Sequence, residues 1–437
     1  MSVEVITLLF FGSLLFFLFL GVPLAFVLGG VSVVFLYFDW GPDAFYMVAS
    51  NMWSTMNSFT LIAIPLFIFM AMLLERSGVA RDLYHMMHLW WGGVRGGLAI
   101  GTVGICAIFA AMCGISGAAV TSMGTIALPN MLERKYDKEM ALGAINAGGG
   151  WGILIPPSII MILYALITGV SVGALFAAGI VPGLLLMVLV SLYIGIRCYF
   201  QPHLGPALPP GERGTLREKF IALRSVLLPM FIVVIVLGSI LSGVATATEA
   251  AAIGVFGALV SSIVYRRFTW AIIQESCVRT LRLTGMIMWI LFAAHAFSTA
   301  YNSMGAQPMI LEFMMSIPGG EWGALIAILL IIFLMAMVLD PLGIMLITLP
   351  VFMPIVTGFG FDPVWFGILF IIMMEIGYMT PPFGFNLFYL KGVAPPGVTM
   401  GDIYKSVIPY TGVELFGLVL VIMFPAIALW LPNILGF

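Results

Sequence analysis

Residues 148–157 read Gly-Gly-Gly-Trp-Gly-Ile-Leu-Ile-Pro-Pro and lie inside an apolar run, yet they hold what a helix tolerates least. The glycines loosen the backbone, and the Pro-Pro pair removes amide donors and clashes with the preceding turn. In lipid every backbone polar group must find a partner, so such a break survives only when buried in protein or lining a cavity. It has a counterpart. Pro156-Pro157 recurs as Pro381-Pro382, and Pro129, Asp137, Gly152 and Tyr164 recur as Pro354, Asp362, Gly377 and Tyr389, every pair 225 positions apart. A constant spacing over that many landmarks implies an internal duplication. Two interrupted apolar segments at matching places in two halves point to the binding site of a transporter.

Composition identifies the solvent. Of 437 residues 62% are hydrophobic and 8% charged, and the mean hydropathy is +1.17, which a soluble core does not need and a membrane does. Basic and acidic residues nearly balance, 17 against 19, which argues against a nucleic-acid partner. Cys106, Cys113, Cys198 and Cys277 show no metal-ligand spacing and read as small apolar filler. The N-terminus lacks a basic start and a small-residue cleavage site before Pro23, so it reads as a first span. No phosphate-binding loop occurs, and Gly114-Ile115-Ser116-Gly117 lacks the strand-turn-helix of a nucleophile elbow. The chain is expected to be no enzyme, and an ion gradient is the expected energy source.

Runs of spanning length lie near 3–20, 22–38, 58–75, 138–167, 174–197, 221–242, 245–265, 282–301, 363–390 and 403–431. Residues 97–132 form two apolar arms about a tip at Cys113-Gly114-Ile115-Ser116-Gly117, and residues 322–357 do the same about Asp340-Pro341-Leu342-Gly343. Each pair of arms is two full spans or a re-entrant hairpin. The tips lack the polar look of an exposed loop, which favours the hairpin. All 17 Lys and Arg residues then fall on one side, while Asp39, Asp43, Glu312, Glu321 and Asp362 occupy the other. The positive-inside rule makes the basic side cytoplasmic and both termini periplasmic. Two true spans in place of each hairpin would leave that parity unchanged.

Five crossings per half is odd, so the second half sits upside down relative to the first. The expected fold is an all-α integral membrane protein of two inverted repeats, each with about five spans, a re-entrant hairpin and a broken helix. Residues 1–96 are scaffold spans with an interfacial segment at 79–92. Residues 97–167 hold the first hairpin and broken helix, and 168–199 the fifth span. Residues 200–220, rich in Pro, Gly and charge, form a cytoplasmic linker. Residues 221–321 repeat the scaffold spans with a second interfacial segment at 303–316; an ordinary loop turn is the other reading of both segments. Residues 322–390 hold the second hairpin and broken helix, and 391–437 the last span.

Candidate substrate or ion contacts follow from this geometry. At the tips they are Gly114, Ser116, Gly117, Asp340, Pro341 and Gly343. At the breaks they are Gly150, Gly152, Pro156, Pro157, Ser158, Gly377, Thr380, Pro381, Pro382 and Asn386. A hydroxyl beside freed carbonyls suits a hard cation such as Na+ in the Ser116 region, and a carboxylate at membrane depth is expected to be paired or ion-bound, so Na+ is expected in the Asp340 region too. The competing reading of Ser116, Thr121 and Ser122 is a bond to their own helix carbonyls. Asp340 at membrane depth reads as functional, or as an N-cap, or both. Ser158, Thr380 and Asn386 are ligands or helix-end caps. Glu375 is a candidate protonatable group or a neutral, satisfied one, and Glu249 an ion-linked group or a helix-N-terminal acid. His295 reads as scaffold or subunit contact.

Several stretches together resemble a known family: residues 21–26 (Gly-Val-Pro-Leu-Ala-Phe), 155–158 (Ile-Pro-Pro-Ser), 246–252 (Thr-Ala-Thr-Glu-Ala-Ala-Ala), 380–384 (Thr-Pro-Pro-Phe-Gly) and 389–395 (Tyr-Leu-Lys-Gly-Val-Ala-Pro). Over essentially its whole length the chain resembles the DctM-like large membrane subunit of tripartite ATP-independent periplasmic (TRAP) transporters, within the ion transporter superfamily. The resemblance implies Na+-driven symport of a small organic acid across a bacterial inner membrane by an elevator movement. It implies a small four-helix membrane subunit, expected on a separate chain because no extra four-span block is present, and a periplasmic substrate-binding protein. No cofactor is expected beyond the coupling ion. The chain departs from the family pattern at Asn130, at Ala247 and at Glu375, the last bearing on ion stoichiometry. The rival readings are a binding-protein-independent carboxylate carrier of the same superfamily, a channel, and a membrane-embedded enzyme or assembly scaffold.

Overall fold

The computed structural model describes residues 2–209 and 214–437, and among them all regular structure is helical. The first half runs α1 (Val3–Phe19), α2 (Leu24–Trp40), α3 (Asp43–Met56), a 3-10 turn at Phe59–Ile62, α4 (Ala63–Arg76), α5 (Val79–Trp91), α6 (Gly97–Cys113), α7 (Ser116–Glu133), α8 (Lys138–Gly150), α9 (Ile159–Thr168) and α10 (Val172–Phe200). The second runs α11 (Leu216–Leu241), α12 (Ala247–Val264), α13 (Trp270–Ser303), α14 (Ala306–Met315), α15 (Gly320–Ala336), α16 (Pro341–Gly358), α17 (Pro363–Tyr378), α18 (Phe385–Val393), α19 (Met400–Met423) and α20 (Ala426–Leu435).

The duplication is visible in the elements. Helices α7 and α16 are each 18 residues long and start 225 positions apart, as do α8 and α17. Asp137 and Asp362, also a matched pair, both cap broken helices: Asp137 accepts from Met140 N, and Asp362 from Val364 N and Trp365 N. Both Pro-Pro bonds, at Pro156-Pro157 and Pro381-Pro382, are cis. Both segments expected near the interface are helical, as α5 and α14.

Two packed groups emerge. One joins α2 to α13, α4 to α12 and α13, and α11 to α12. The other gathers the hairpins and broken helices: α8 lies against α6, α7 and α19, α7 against α18, and α15 against α17. Helices α10 and α19 belong to this second group by contact, α10 along α6, α17, α19 and α20, and α19 along α8 and α17. Between α4 and α6, and between α13 and α16, the groups touch.

Basic residues at helix ends form ion pairs. Lys138 pairs with Asp402 at 3.2 Å, Arg267 with Asp82 at 2.8 Å, and Arg76 with Glu275. The linker docks on the starts of α6 and α8, with Gly96 N donating to Gly205 O, Asp137 N to Leu204 O and Leu208 N to Gly92 O. Its residues 210–213 lie outside the described residues.

Two differences from expectation have physical causes. Six described helical stretches are long and apolar enough to cross a bilayer alone, or eight if two bent pairs each count as one. Five of the six are expected crossings, the sixth being α16, an arm of the second hairpin; the remaining expected crossings fall on α1 and α2, each 17 residues, on the bent α11, and on the halves of the two broken helices. Glycine and proline at the breaks cut the two broken spans into pieces. Helix α3 was not expected. Its mixture of Asp43, Asn51 and Ser54 with Phe45, Tyr46 and Trp53 has neither span nor loop character, and it packs on α2 and α13.

Candidate functional site

The first tip is pressed into the first break. Helix α6 ends at Gly114, whose φ of +63° is the left-handed turn that favours glycine, and a Cβ there would lie 2.7 Å from the Pro157 carbonyl oxygen. Across the contact, a Cβ on Gly152 would lie 2.7 Å from the Ile115 carbonyl carbon and 2.8 Å from Ser116 N. Two backbones meet here with no side chain between them.

Ser116 then opens α7, buried to 7% exposure, and among the described residues its hydroxyl makes no hydrogen bond. Thr121 instead donates to the Gly117 carbonyl, the self-satisfied reading of a membrane threonine. At the break, Ser158 caps α9: its Oγ donates to Ile153 O at 2.7 Å and accepts from Met161 N. That hydroxyl is already engaged.

The second tip works differently. Asp340 is the N-cap of α16, with Oδ2 accepting from Leu342 N at 3.2 Å and Gly343 N at 3.4 Å, and Pro341 takes the first helical position. Its carboxylate lies within electrostatic reach of the hydroxyls of Tyr378 and Tyr389. A Cβ on Gly343 would lie 2.6 Å from Leu24 at the start of α2, so this tip borders the other helix group.

At the second break Thr380 donates to Ile376 O at 2.7 Å, and the Pro382 carbonyl accepts from Tyr404. Gly377 packs on Ala336 at the end of α15. Asn386, fully buried one residue into α18, has no partner for either amide atom. A buried primary amide left unsatisfied is costly, so it is the break's most ligand-like side chain.

Tyr389 joins the halves. Its ring lies 2.8 Å from where a Cβ on Gly117 would stand, at the first tip, while Asp340 at the second tip acts on its hydroxyl. In the sequence Tyr389 served as a landmark of the repeat and as the start of the family-like stretch 389–395, not as a site residue. Nothing in its neighbourhood, a run of apolar and aromatic residues, marks it as a bridge.

Glu375 is fully buried on α17 with neither oxygen bonded, and a Cβ on Gly150 would lie 2.9 Å from its Oε1. Its neighbour in charge is Glu414 of α19, equally buried; among the described residues the Glu414 oxygens and the nearby Trp151 indole N–H likewise make no hydrogen bond. Glu414 was overlooked in the last span, although a carboxylate inside an apolar run was the available signal. Glu249 stands apart. It forms a reciprocal capping box with Thr246 at the start of α12, which packs on α4 and α11.

Cavities flank both hairpins. One of about 440 Å3 lies between α5 and α7, and one of about 560 Å3 adjoins it. A third, of about 470 Å3, lies between the end of α9, α13 and α16, and His295 faces it beside Ser298 and Thr168. Among the described residues no group of three or more His, Cys, Asp and Glu could hold a metal. The tip oxygens and break carbonyls are the available hard ligands.

Comparison with known proteins adds the following. The sequence profile described as "Tripartite ATP-independent periplasmic transporter, DctM component" matches residues 11–427. The chain is 36% identical to the C4-dicarboxylate TRAP transporter large permease protein DctM of Pseudomonas aeruginosa, over 94% of each chain. It is 32% identical to the ectoine TRAP transporter large permease protein TeaC of Halomonas elongata, over 95% of this chain and 96% of that one. Among solved structures it resembles the YdaH transporter of Alcanivorax borkumensis, with a TM-score of 0.67 at 13% identity over 96% of this chain and 99% of that one. At that identity the likeness concerns the fold alone.

Proposed function

The chain belongs to the DctM component family of tripartite ATP-independent periplasmic transporters, and on that premise we propose how its two tips and two breaks move a solute. It is a multi-pass inner-membrane permease subunit, a secondary transporter of small organic acids and not an enzyme. The observation that carries the mechanism is the cluster at the centre: the Ile115–Ser116 backbone against Gly152, and Gly117 against Tyr389, which Asp340 also reaches.

In this reading the two halves are inverted copies and each hairpin is re-entrant, so the tips meet near the middle of the bilayer. Na+ binds between tip and break in each half, using the free Ser116 hydroxyl and break carbonyls in the first and Asp340 in the second. Its charge offsets that of Asp340 and of the arriving anion. The carboxylate of the solute settles between the tips, beside the first turn of α7, whose amides have no side-chain cap, whereas those of α16 are taken up by Asp340. Asn386 fixes its orientation. Because tip and break touch through bare backbone, ion binding at either draws the two together.

The hairpins and broken helices then shift as one body against α2, α4, α12 and α13. Helices α10 and α19 travel with them, since both lie along the broken helices. A separate small membrane subunit and a periplasmic binding protein complete the system, the latter delivering the solute. The test is uptake into proteoliposomes holding the chain with its small subunit. Saturable uptake that needs both Na+ outside and the loaded binding protein supports the tripartite reading. Uptake by the lone chain without binding protein would replace it with a self-sufficient carboxylate carrier, and unsaturable flux with a channel.

A further inference from the structure

The two cavities between the first hairpin and α5 form one cationic vestibule. Arg81, Tyr84, His85 and His88 share one face of α5, and Thr125, Ile126, Pro129 and Asn130 share one face of α7. The adjoining cavity continues past Arg81 and Ile126 to Ser122 of α7 and to the helix ends at Arg76 and Arg267. Ser122 lies six residues beyond Ser116, which at the helical rise of about 1.5 Å per residue is roughly 9 Å from the first tip. The vestibule therefore leads from the basic helix ends at Arg76 and Arg267 toward the tip.

Its charges are not equivalent. Arg76 is paired with Glu275, and Arg267 with Asp82 while it also donates to the Ser77 carbonyl. Glu75, the carboxylate that lines the adjoining cavity, lies within reach of Arg279 and Arg76. Arg81 lines both cavities, is exposed, and among the described residues makes no ion pair or hydrogen bond. The cavity beside the second hairpin offers a contrast: His295, hydroxyls and apolar side chains line it, and no Lys, Arg, Asp or Glu.

We propose that this vestibule is a release station for a small carboxylate or sulfonate anion, with Arg81 as its principal ligand and Ser122 and Asn130 as flanking polar contacts. This deepens the permease reading above and rests on it. An anion leaving the tip toward a negatively charged cytoplasm moves against the membrane potential, and a free guanidinium on the exit path offsets that. Its planar fork suits carboxylate and sulfonate oxygens alike. The depth of the vestibule, reaching within two helical turns of the tip, fits a small free anion and not a lipid headgroup held at the bilayer surface.

Arginine labelling tests the station without requiring transport. The full chain in phosphatidylcholine nanodiscs is treated with phenylglyoxal, and modification of Arg81 is followed by mass spectrometry. Succinate and isethionate should each slow labelling of Arg81, while choline leaves it unchanged, and Ser122→Ala should weaken the protection. Labelling indifferent to both anions overturns the proposal. So does protection that appears only when phosphatidylglycerol is added, which would make the site a lipid contact. In proteoliposomes, Arg81→Gln should raise the internal solute concentration that half-saturates efflux by about tenfold, with external half-saturation unchanged and Arg81→Lys partly restoring it. A wild-type chain carrying no flux would sink the permease reading instead, and the labelling result would still decide the site.

Discussion

A single methyl group at Gly152 tests how the first hairpin meets the first break. A Cβ there would stand 2.7–2.9 Å from the Ile115 and Ser116 backbone, which has no flexible end to swing aside. Gly152→Ala should push the tip off the break, cost roughly 1–3 kcal/mol of stability, and lower uptake more than tenfold. Gly285→Ala, with nothing within 4 Å, serves as the control and should leave uptake unchanged in the same assay. Asp340 carries two roles that one pair of substitutions separates. Asparagine keeps the cap on α16 and removes the charge, so Asp340→Asn should weaken Na+ activation of uptake with little loss of thermal stability. Asp340→Ala should lose both, about 1 kcal/mol of it from the cap; equal Na+ dependence in wild type and Asp340→Asn would remove the residue from the ion site. Residues of this kind were legible in the sequence because they break a local rule: glycine, proline or charge where lipid demands apolar helix. Tyr389 and Trp151 break none, and Tyr389 became visible only when folding set it against Gly117 from the other half of the chain.

Among the elements, α8 and α19 are the pair to separate mover from frame. They lie side by side and share the Lys138–Asp402 ion pair at one end. Cysteines at Lys138 and Asp402 joined by a short bifunctional thiol reagent should leave uptake within about twofold of the unlinked double variant if, as proposed, both helices travel together; an exposed ion pair of this kind is itself worth at most about 1 kcal/mol. Cysteines at Ser122 of α7 and Ile272 of α13, which line one cavity from opposite groups, should stop uptake when bridged. Arrest by the first bridge would return α19 to the frame. The repeat made the matched helices readable, down to the equal lengths of α7 and α16. The sequence reading left α10 and α19 with the scaffold of remaining spans, because a largely apolar span does not say which neighbour it will choose. For the same reason α3 escaped notice: its polar and aromatic residues suit an interface, a role that depends on α2 and α13 being there to pack against.

At the scale of the whole molecule, the two hairpins open onto cavities of different character, which the inverted-repeat reading puts on opposite sides of the membrane. Ser122 faces the cationic one beside α7, and Met353 faces the neutral one beside α16. If the hairpins and broken helices shift as a rigid body, widening one cavity must narrow the other, because both second arms belong to the moving group. Cysteine at Ser122 and cysteine at Met353, each labelled with a membrane-impermeant thiol reagent from its own side, should then change in opposite directions. Na+ with loaded binding protein outside should raise labelling of Ser122→Cys from the cytoplasmic face and lower that of Met353→Cys from the outside. Removing Na+ should reverse both if, as proposed, Na+ binding joins each tip to its break before the shift. Two rates that rise and fall together would mean that the hairpins open independently as gates, and the packing of the Tyr389 ring on Gly117 would then have to part in every cycle.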